Sequence, residues 1–416
     1  MCSPIIISQS TLRRFILGQQ GLWPGRRWRG AAGVAAALEH GSVVQIDPLN
    51  LIARSHDTAL YGRVLDYTPS MLDELMYMER AAFDYGGTLF VHPMAELPYW
   101  RVVMERNAQK GRWAAFAEQH RAVLEIVRAE IAARDPLAGR DFTGSKVGPG
   151  NYRGSKDTGL ALYNLWFSGE LMTAGRNNKP GASGGKFDRL YDLRERVAPP
   201  AYQHAAPLED CETFFALKTF YRLGLPTARD FRLGWSGAIE RPVSEPEAGE
   251  RISALIAAGQ IYPLSVEGQP ASQPRYALAE ELAHLETLQA GRVPDDWLPL
   301  ESSTEQEMTV LAPLEIVSAR GRAKSLFGFE YLWEVYKPAE QRRWGYYTMP
   351  LLWGDRLAAR FDSRLERAGR ALHILGFWVE PWVTVDAPFR AALHAGLKRF
   401  MDFIGADWII DRGLLP

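Results

Sequence analysis

Polar and apolar residues alternate most regularly over Gly41-Ser42-Val43-Val44-Gln45-Ile46-Asp47-Pro48. In an extended chain successive side chains face opposite ways, so the pattern predicts a strand that sends Val44 and Ile46 to one face and Gln45 and Asp47 to the other. Pro48 has no backbone donor and ends it. Elsewhere an apolar period near 3.6 predicts helices. One starts at Pro69-Ser70, a longer one covers about 111–134 with Trp113, Phe116, Val123, Leu124 and Val127 on its apolar face, and the last covers 387–404. In that last helix Phe389, Leu393, Leu397, Phe400 and Phe403 recur at core spacing. After Glu301 the pattern turns to β, and 327–336, 345–347, 357–361 and 372–379 read as strands of a small barrel-like sheet.

Three segments share one plan. Each has a helix ending in an Arg and Phe signature, a second helix, a glycine where a C-cap needs positive φ, and strand-like residues after it. The signatures are Arg14-Phe15, Arg140-Asp141-Phe142 and Arg229-Asp230-Phe231, and the glycines are Gly41, Gly169 and Gly259. The separations from Phe to Gly are 26, 27 and 28 residues. Phe187 to Leu193 and Arg275 to Leu278 supply later strands of the second and third segments. This outline is that of a winged helix. Connectors rich in Gly, Pro or Ser are expected at 144–159, 180–185 and Pro199-Pro200.

Composition narrows the chemistry. The chain has 416 residues, 47% of them hydrophobic, with no apolar run approaching the roughly 18 residues of a membrane span. Its opening residues lack the pattern of a signal peptide, so a cytoplasmic protein is expected. Cys2 and Cys211 are the only cysteines, which excludes a disulfide framework and a cysteine-rich zinc site. The net charge is −1, yet arginines come in knots at 13–14, 26–29, 320–324 and 342–343 that could follow phosphates or simply be solvated. Gly185-Lys186 lacks the context of a phosphate-binding loop.

Gln45 and Asp47 side by side could hold one water, the carboxylate taking its proton and the amide fixing its direction. The same alternation is what any half-buried surface strand shows. His56 and His92 are open between structural and phosphate-facing roles, and Arg342-Arg343 between a phosphate grip and solvated surface. The first lysine is Lys110, and none stands near the strand in sequence. That argues against Schiff-base chemistry, although folding could bring Lys146 or Lys156 close.

Val44-Gln45-Ile46-Asp47 with Ala53-Arg54-Ser55-His56, and Leu326-Phe327-Gly328-Phe329-Glu330-Tyr331 through Glu334-Val335-Tyr336, Pro338, Arg342-Arg343 and Gly345-Tyr346-Tyr347, carry a resemblance. The chain resembles the YcaQ/AlkZ-type winged-helix crosslink-repair DNA glycosylases, in the branch with a Gln-x-Asp motif. It departs from the pattern with Tyr85-Gly86-Gly87, Asn151-Tyr152 and Leu314-Glu315, the last standing where Phe-Asp is usual.

The resemblance implies an α+β fold of three tandem winged-helix units with a C-terminal β-rich, barrel-like part and a terminal helix. The divisions expected are 1–135 (first winged helix with the catalytic strand and following helices), 136–200, 201–300 and 301–416. It implies a glycosylase that excises N7-alkylated purines and unhooks interstrand crosslinks, with Gln45 and Asp47 catalytic; with no lysine near the strand a monofunctional enzyme is expected, and a metal-independent one. DNA contacts are expected from Arg54, His56, His92, Lys156, Arg342 and Arg343. The expected partner is damaged double-stranded DNA, acted on by a monomer with no cofactor, nucleotide or membrane. The alternatives are a non-enzymatic winged-helix DNA-binding protein, regulator or lesion sensor, and an assembly of winged helices that binds protein partners.

Overall fold

The computed structural model describes residues 5–40, 44–146, 156–178, 187–319 and 321–416. Gly41-Ser42-Val43, Asn151-Tyr152, Arg320 and most of the two connectors expected at 144–159 and 180–185 lie outside the described residues. The chain forms two compact units, one of Met1–Met71 with Ala216–Pro416 and one of Leu72–Phe215.

In the first unit a five-stranded sheet takes the order Thr309–Val310, Thr348–Trp353, Arg356–Glu366, Ala371–Val379 and Trp408–Ile410. Its first four strands pair antiparallel and the last adds parallel to Ala371–Val379. Register shifts at Leu351/Leu352 and Asp362/Ser363 are the bulges that bend a sheet, and the sheet curls into a half-barrel. The helix Ala387–Ile404, begun by Asp386 accepting from the Phe389 N–H at 3.0 Å, buries Phe389, Leu393, Leu397 and Phe400 as their spacing predicts. Gly396 lets it pass close to Met308, since a Cβ there would stand 2.1 Å from that residue's carbonyl oxygen.

The strand expected at 327–336 is not formed. Phe327 ends a short helix, Arg322–Phe327, and Gly328 then reverses the chain at φ +66. The residues that follow run without strand pairing as far as Thr348, because Phe327 and Phe329 are drawn into the core beside Leu326. Burial of separate aromatics has overridden β propensity there. Residues 345–347 likewise precede the strand Thr348–Trp353.

The Arg-Asp-Phe signatures do not end helices. Asp230 and Asp141 each accept the backbone N–H three residues earlier, from Thr227 at 3.2 Å and Ala138 at 2.7 Å, so the motif is a start signal. The first copy lacks the Asp, and its Phe15 sits inside the helix Gln9–Gln19. The glycine half of the repeat is shared more closely. After Asp157–Phe167 and after Glu245–Ala257 the chain turns through Gly169 (φ +77) and Gly259 (φ +67). In each case the next N–H reaches back five residues, Glu170 to Leu165 and Gln260 to Leu255, both at 2.9 Å.

Antiparallel hairpins follow both glycines, Leu171–Asn178 with Phe187–Leu193 and Ile261–Val266 with Arg275–Leu278. The second gains a third strand from the start of the chain, Ile5–Ile7, parallel to Ile261–Val266. In the unit Leu72–Phe215 the long helix expected over 111–134 is two, Gly111–Gln119 and Arg121–Ala133, broken at His120. The helix expected at Pro69-Ser70 is present as Pro69–Tyr77.

Candidate active site

The alternation at 44–47 is realised in burial. Val44 and Ile46 are 1% and 5% exposed, while Gln45 and Asp47 are half-buried on the other side. Outside Gln45, which forms a single bridge, the described part of this stretch has no regular strand pairing. Its shape is set by side chains. Asp47 Oδ1 accepts the Leu49 N–H at 2.8 Å, a local turn that holds the carboxylate against its own backbone. The Asp47 N–H points the other way and donates to His56 Nδ1 at 3.3 Å. That bond requires His56 to carry its proton on Nε2, which faces Asp57 Oδ2 at 3.8 Å.

His56 and Asp57 lie in the first turn of the buried helix Ser55–Tyr61, directly after Arg54. Asp57 also accepts from the Tyr67 hydroxyl at 2.8 Å. Burial pushes its carboxyl up to about 6, with Tyr67 and Arg54 pulling in the opposite direction. Asp47 is raised as well, again by burial and again moderated by a hydrogen bond, that of Leu49. It remains accessible from solvent. A half-buried carboxylate in a fixed turn, with a carboxamide two residues away on the same side, can bind and deprotonate a water at a set position.

The segment after Asp47 is clamped from the sheet. Arg367, in the turn between Arg356–Glu366 and Ala371–Val379, donates to the carbonyls of Leu51 and Ile52 at 3.2 Å each and to Asn50 Oδ1 at 2.9 Å. Tyr347 donates its hydroxyl hydrogen to the Ala53 carbonyl at 2.9 Å. Burial, then the charges of Asp47 and Asp57, push the Tyr347 phenol upward, so it stays a donor. Below, the Leu314 N–H donates to Ser55 Oγ at 3.3 Å. Glu315 takes both ends of the Arg63 guanidinium at 2.8 and 2.7 Å in full burial.

Arg342 and Arg343 stand on the irregular loop that ends at Tyr347. Arg342 lies 4.5 Å over the Tyr346 ring and donates to the Lys337 carbonyl at 2.9 Å, while the exposed Arg343 pairs with Glu330 at 2.7 Å. Gln45, Asp47, Arg54, His56 and these two arginines thus belong to one compact unit. His92 and Lys156 belong to the other. His92 is 5% exposed and packs 4.2 Å from Trp100, the placement of a core side chain. Lys156 is exposed, immediately before the helix Asp157–Phe167.

Arginines of two knots are paired within the protein, Arg26 in the interior and Arg29 at the surface. Arg26 pairs with Glu307 at 2.6 Å, Arg29 with Glu301 at 2.6 Å, and Arg13 with Asp355 at 3.3 Å. Folding also brings a lysine into this region that sequence proximity did not suggest. Lys337 follows Tyr336 on the aromatic loop, but its ammonium is engaged by Glu334 at 2.8 Å. Tyr347 was visible as part of Gly345-Tyr346-Tyr347, whereas Arg367 and Asp57 have no local signal, since burial or distant backbone defines their roles. Among the described residues no group of three or more His, Cys, Asp and Glu could hold a metal ion, and no helix is long and apolar enough to cross a membrane.

The solved structure of Streptomyces sahachiroi DNA glycosylase AlkZ is similar over 98% of this chain and 100% of that one, with a TM-score of 0.58 and 13% sequence identity. At that identity the likeness is one of fold. The family model for AlkZ-like DNA glycosylases matches residues 38–403, a span that holds Gln45 and Asp47, the clamped segment after them, the aromatic loop and nearly all of the closing helix. With the match covering most of its length, the chain belongs to the AlkZ-like DNA glycosylase family.

Proposed function

We propose that the chain hydrolyses the N-glycosidic bond of N7-alkylated purines in duplex DNA, including those tied into interstrand crosslinks, with Asp47 and Gln45 as catalytic residues. The observation that carries this reading is the fixed, solvent-facing Asp47 carboxylate, two residues from Gln45, in a member of a glycosylase family. Alkylation at N7 makes the purine cationic, so it departs as a neutral base without strong protonation. The remaining work is at the sugar. Asp47 stabilises the oxocarbenium-like C1′ electrostatically and accepts the proton of the attacking water, while Gln45 aligns that water. Each group contributes about 10² to 10³ in rate.

The enzyme acts without metal and without a covalent amine intermediate, leaving an abasic site. Lys337 is held by Glu334, which supports that reading. The helix and hairpin units around Gly169 and Gly259 serve as winged helices that contact duplex DNA. Arg54, His56, Arg342, Arg343, Lys156 and His92 belong to the DNA-binding set, the buried His56 and His92 by supporting their segments from inside. The protein works as a monomer in the cytoplasm, at the nucleoid.

Release of N7-methylguanine from alkylated duplex tests the reading, with chelator present and borohydride added in a parallel reaction. Wild type is expected to release the base and form no trapped adduct. Gln45→Ala and Asp47→Asn, folded to the same melting temperature, are expected to lose about a hundredfold or more. A protein that binds duplex but releases nothing from N7-methylguanine or from a nitrogen-mustard crosslink would be a DNA-binding module instead.

A further inference from the structure

Tyr336 is 85% exposed, the most exposed large apolar side chain among the described residues. Its loop is nevertheless firmly held. Glu334, 2% exposed, accepts the Trp344 N–H at 2.7 Å and Lys337 at 2.8 Å. Asp362 accepts the Tyr347 N–H at 2.8 Å. Gly345, at φ +127, is pressed against the same carboxylate, where a Cβ would meet Oδ2 at 2.2 Å. Arg360 covers Phe329 at 3.8 Å, and the Tyr331 hydroxyl donates to the Thr348 carbonyl at 2.9 Å.

Tyr336 meets the edge of Trp333 at 6.0 Å, and Trp333 meets Tyr347 at 6.0 Å. Tyr347 in turn holds Ala53, so an unbroken run of contacts connects the exposed ring to the Asp47 segment. The neighbourhood is direct in charge as well, for Asp47 is second only to partial desolvation in raising the Tyr336 phenol. A rigid loop that keeps a tyrosine in water forgoes the burial such a ring normally gains. Such a ring can meet a flat apolar partner that arrives with the substrate. A glycosylase that opens the base stack at the lesion exposes the faces of nucleobases.

We propose that Tyr336 contacts the substrate, stacking on a nucleobase uncovered beside the lesion and so holding the opened duplex over Asp47. The inference rests on the glycosylase reading for its substrate. A ring supplied by the protein suits a crosslinked lesion in particular, because a base tethered to the other strand cannot swing into a closed pocket. Base on aromatic stacking is tolerant of sequence and is worth about tenfold or more in binding. The hydroxyl has no part in it.

The test uses a duplex with 2-aminopurine next to a stable tetrahydrofuran abasic analogue, titrated with the full-length protein. Wild type and Tyr336→Phe are expected to quench the fluorescence and to bind alike. Tyr336→Ala, at an unchanged melting temperature, is expected to lose the quenching and about tenfold in affinity. In N7-methylguanine release its loss of kcat/KM is expected mainly in KM. Quenching and affinity retained by Tyr336→Ala, or lost equally in Tyr336→Phe, would overturn the proposal. If wild type releases no base, the glycosylase reading fails by itself, and the fluorescence still decides whether Tyr336 stacks.

Discussion

Tyr347 and Ala53 are 294 positions apart, and the hydroxyl of one donates to the backbone carbonyl of the other at 2.9 Å. The bond joins the residue that leads into the sheet to the segment that follows Asp47. It makes the position of the proposed catalytic carboxylate a property of the β-rich part of the chain as much as of its own neighbours.

Tyr347→Phe removes that bond and little else. A loss of about 1 kcal/mol in urea unfolding is expected, the usual net worth of a neutral hydrogen bond. Base release is expected to fall about tenfold, since small errors in placement of a reacting group are costly. Arg367→Ala, on the opposite side of the clamp, is expected to speed amide exchange in residues 49–53 without a comparable loss of global stability.

Asp57 sets a pH dependence of stability. Its carboxyl titrates near 6 in the folded protein against 3.8 for the ordinary group, so between those values the folded state keeps a proton that the unfolded state has lost. Stability therefore falls as pH rises from about 4 to about 6, by at most about 3 kcal/mol, and stays lower above that. Asp57→Asn keeps an acceptor for Tyr67 and is expected to remove this part of the slope, leaving the smaller one from Asp47. The variant is then more stable than wild type at pH 8 and equal to it at pH 4, as measured by denaturant titration.

On the proposed mechanism Asp47 sets a pH dependence of activity. There it must be ionised to stabilise the sugar cation and accept a proton, and burial raises it from its ordinary 3.8. The acid limb of kcat/KM is expected at a pH above that value, with activity lost as pH falls through it. Asp47→Asn should leave residual activity with no acid limb. A limb that survives in this variant assigns it to another group.

Glu315→Ala leaves the Arg63 guanidinium, 1% exposed, without its carboxylate. The expected cost is about 3 to 5 kcal/mol. Replacing both together, Arg63→Met with Glu315→Leu, is expected to recover most of it, because neither partner is then left buried and charged. Comparing the single and double variants by chemical denaturation separates the pair from its surroundings.

Several features that depend on neighbouring residues were legible in the sequence, although the local Arg-Asp-Phe start signal reads there as a helix end. The terminal helix over 387–404 follows from its apolar spacing, the turns at Gly169 and Gly259 from the need for positive φ, and the facing of Gln45 and Asp47 from alternation alone. Tertiary structure decided what local preference could not. It pulled Phe327 and Phe329 into the core and so dissolved a strand that β propensity predicts. It also paired Arg26 and Arg63 with distant carboxylates in the interior, whereas Tyr336 stayed in water. The physical reason is that periodicity records which face of a segment is apolar. Which groups meet across hundreds of residues is settled only when burial forces every enclosed charge and backbone group to find a partner.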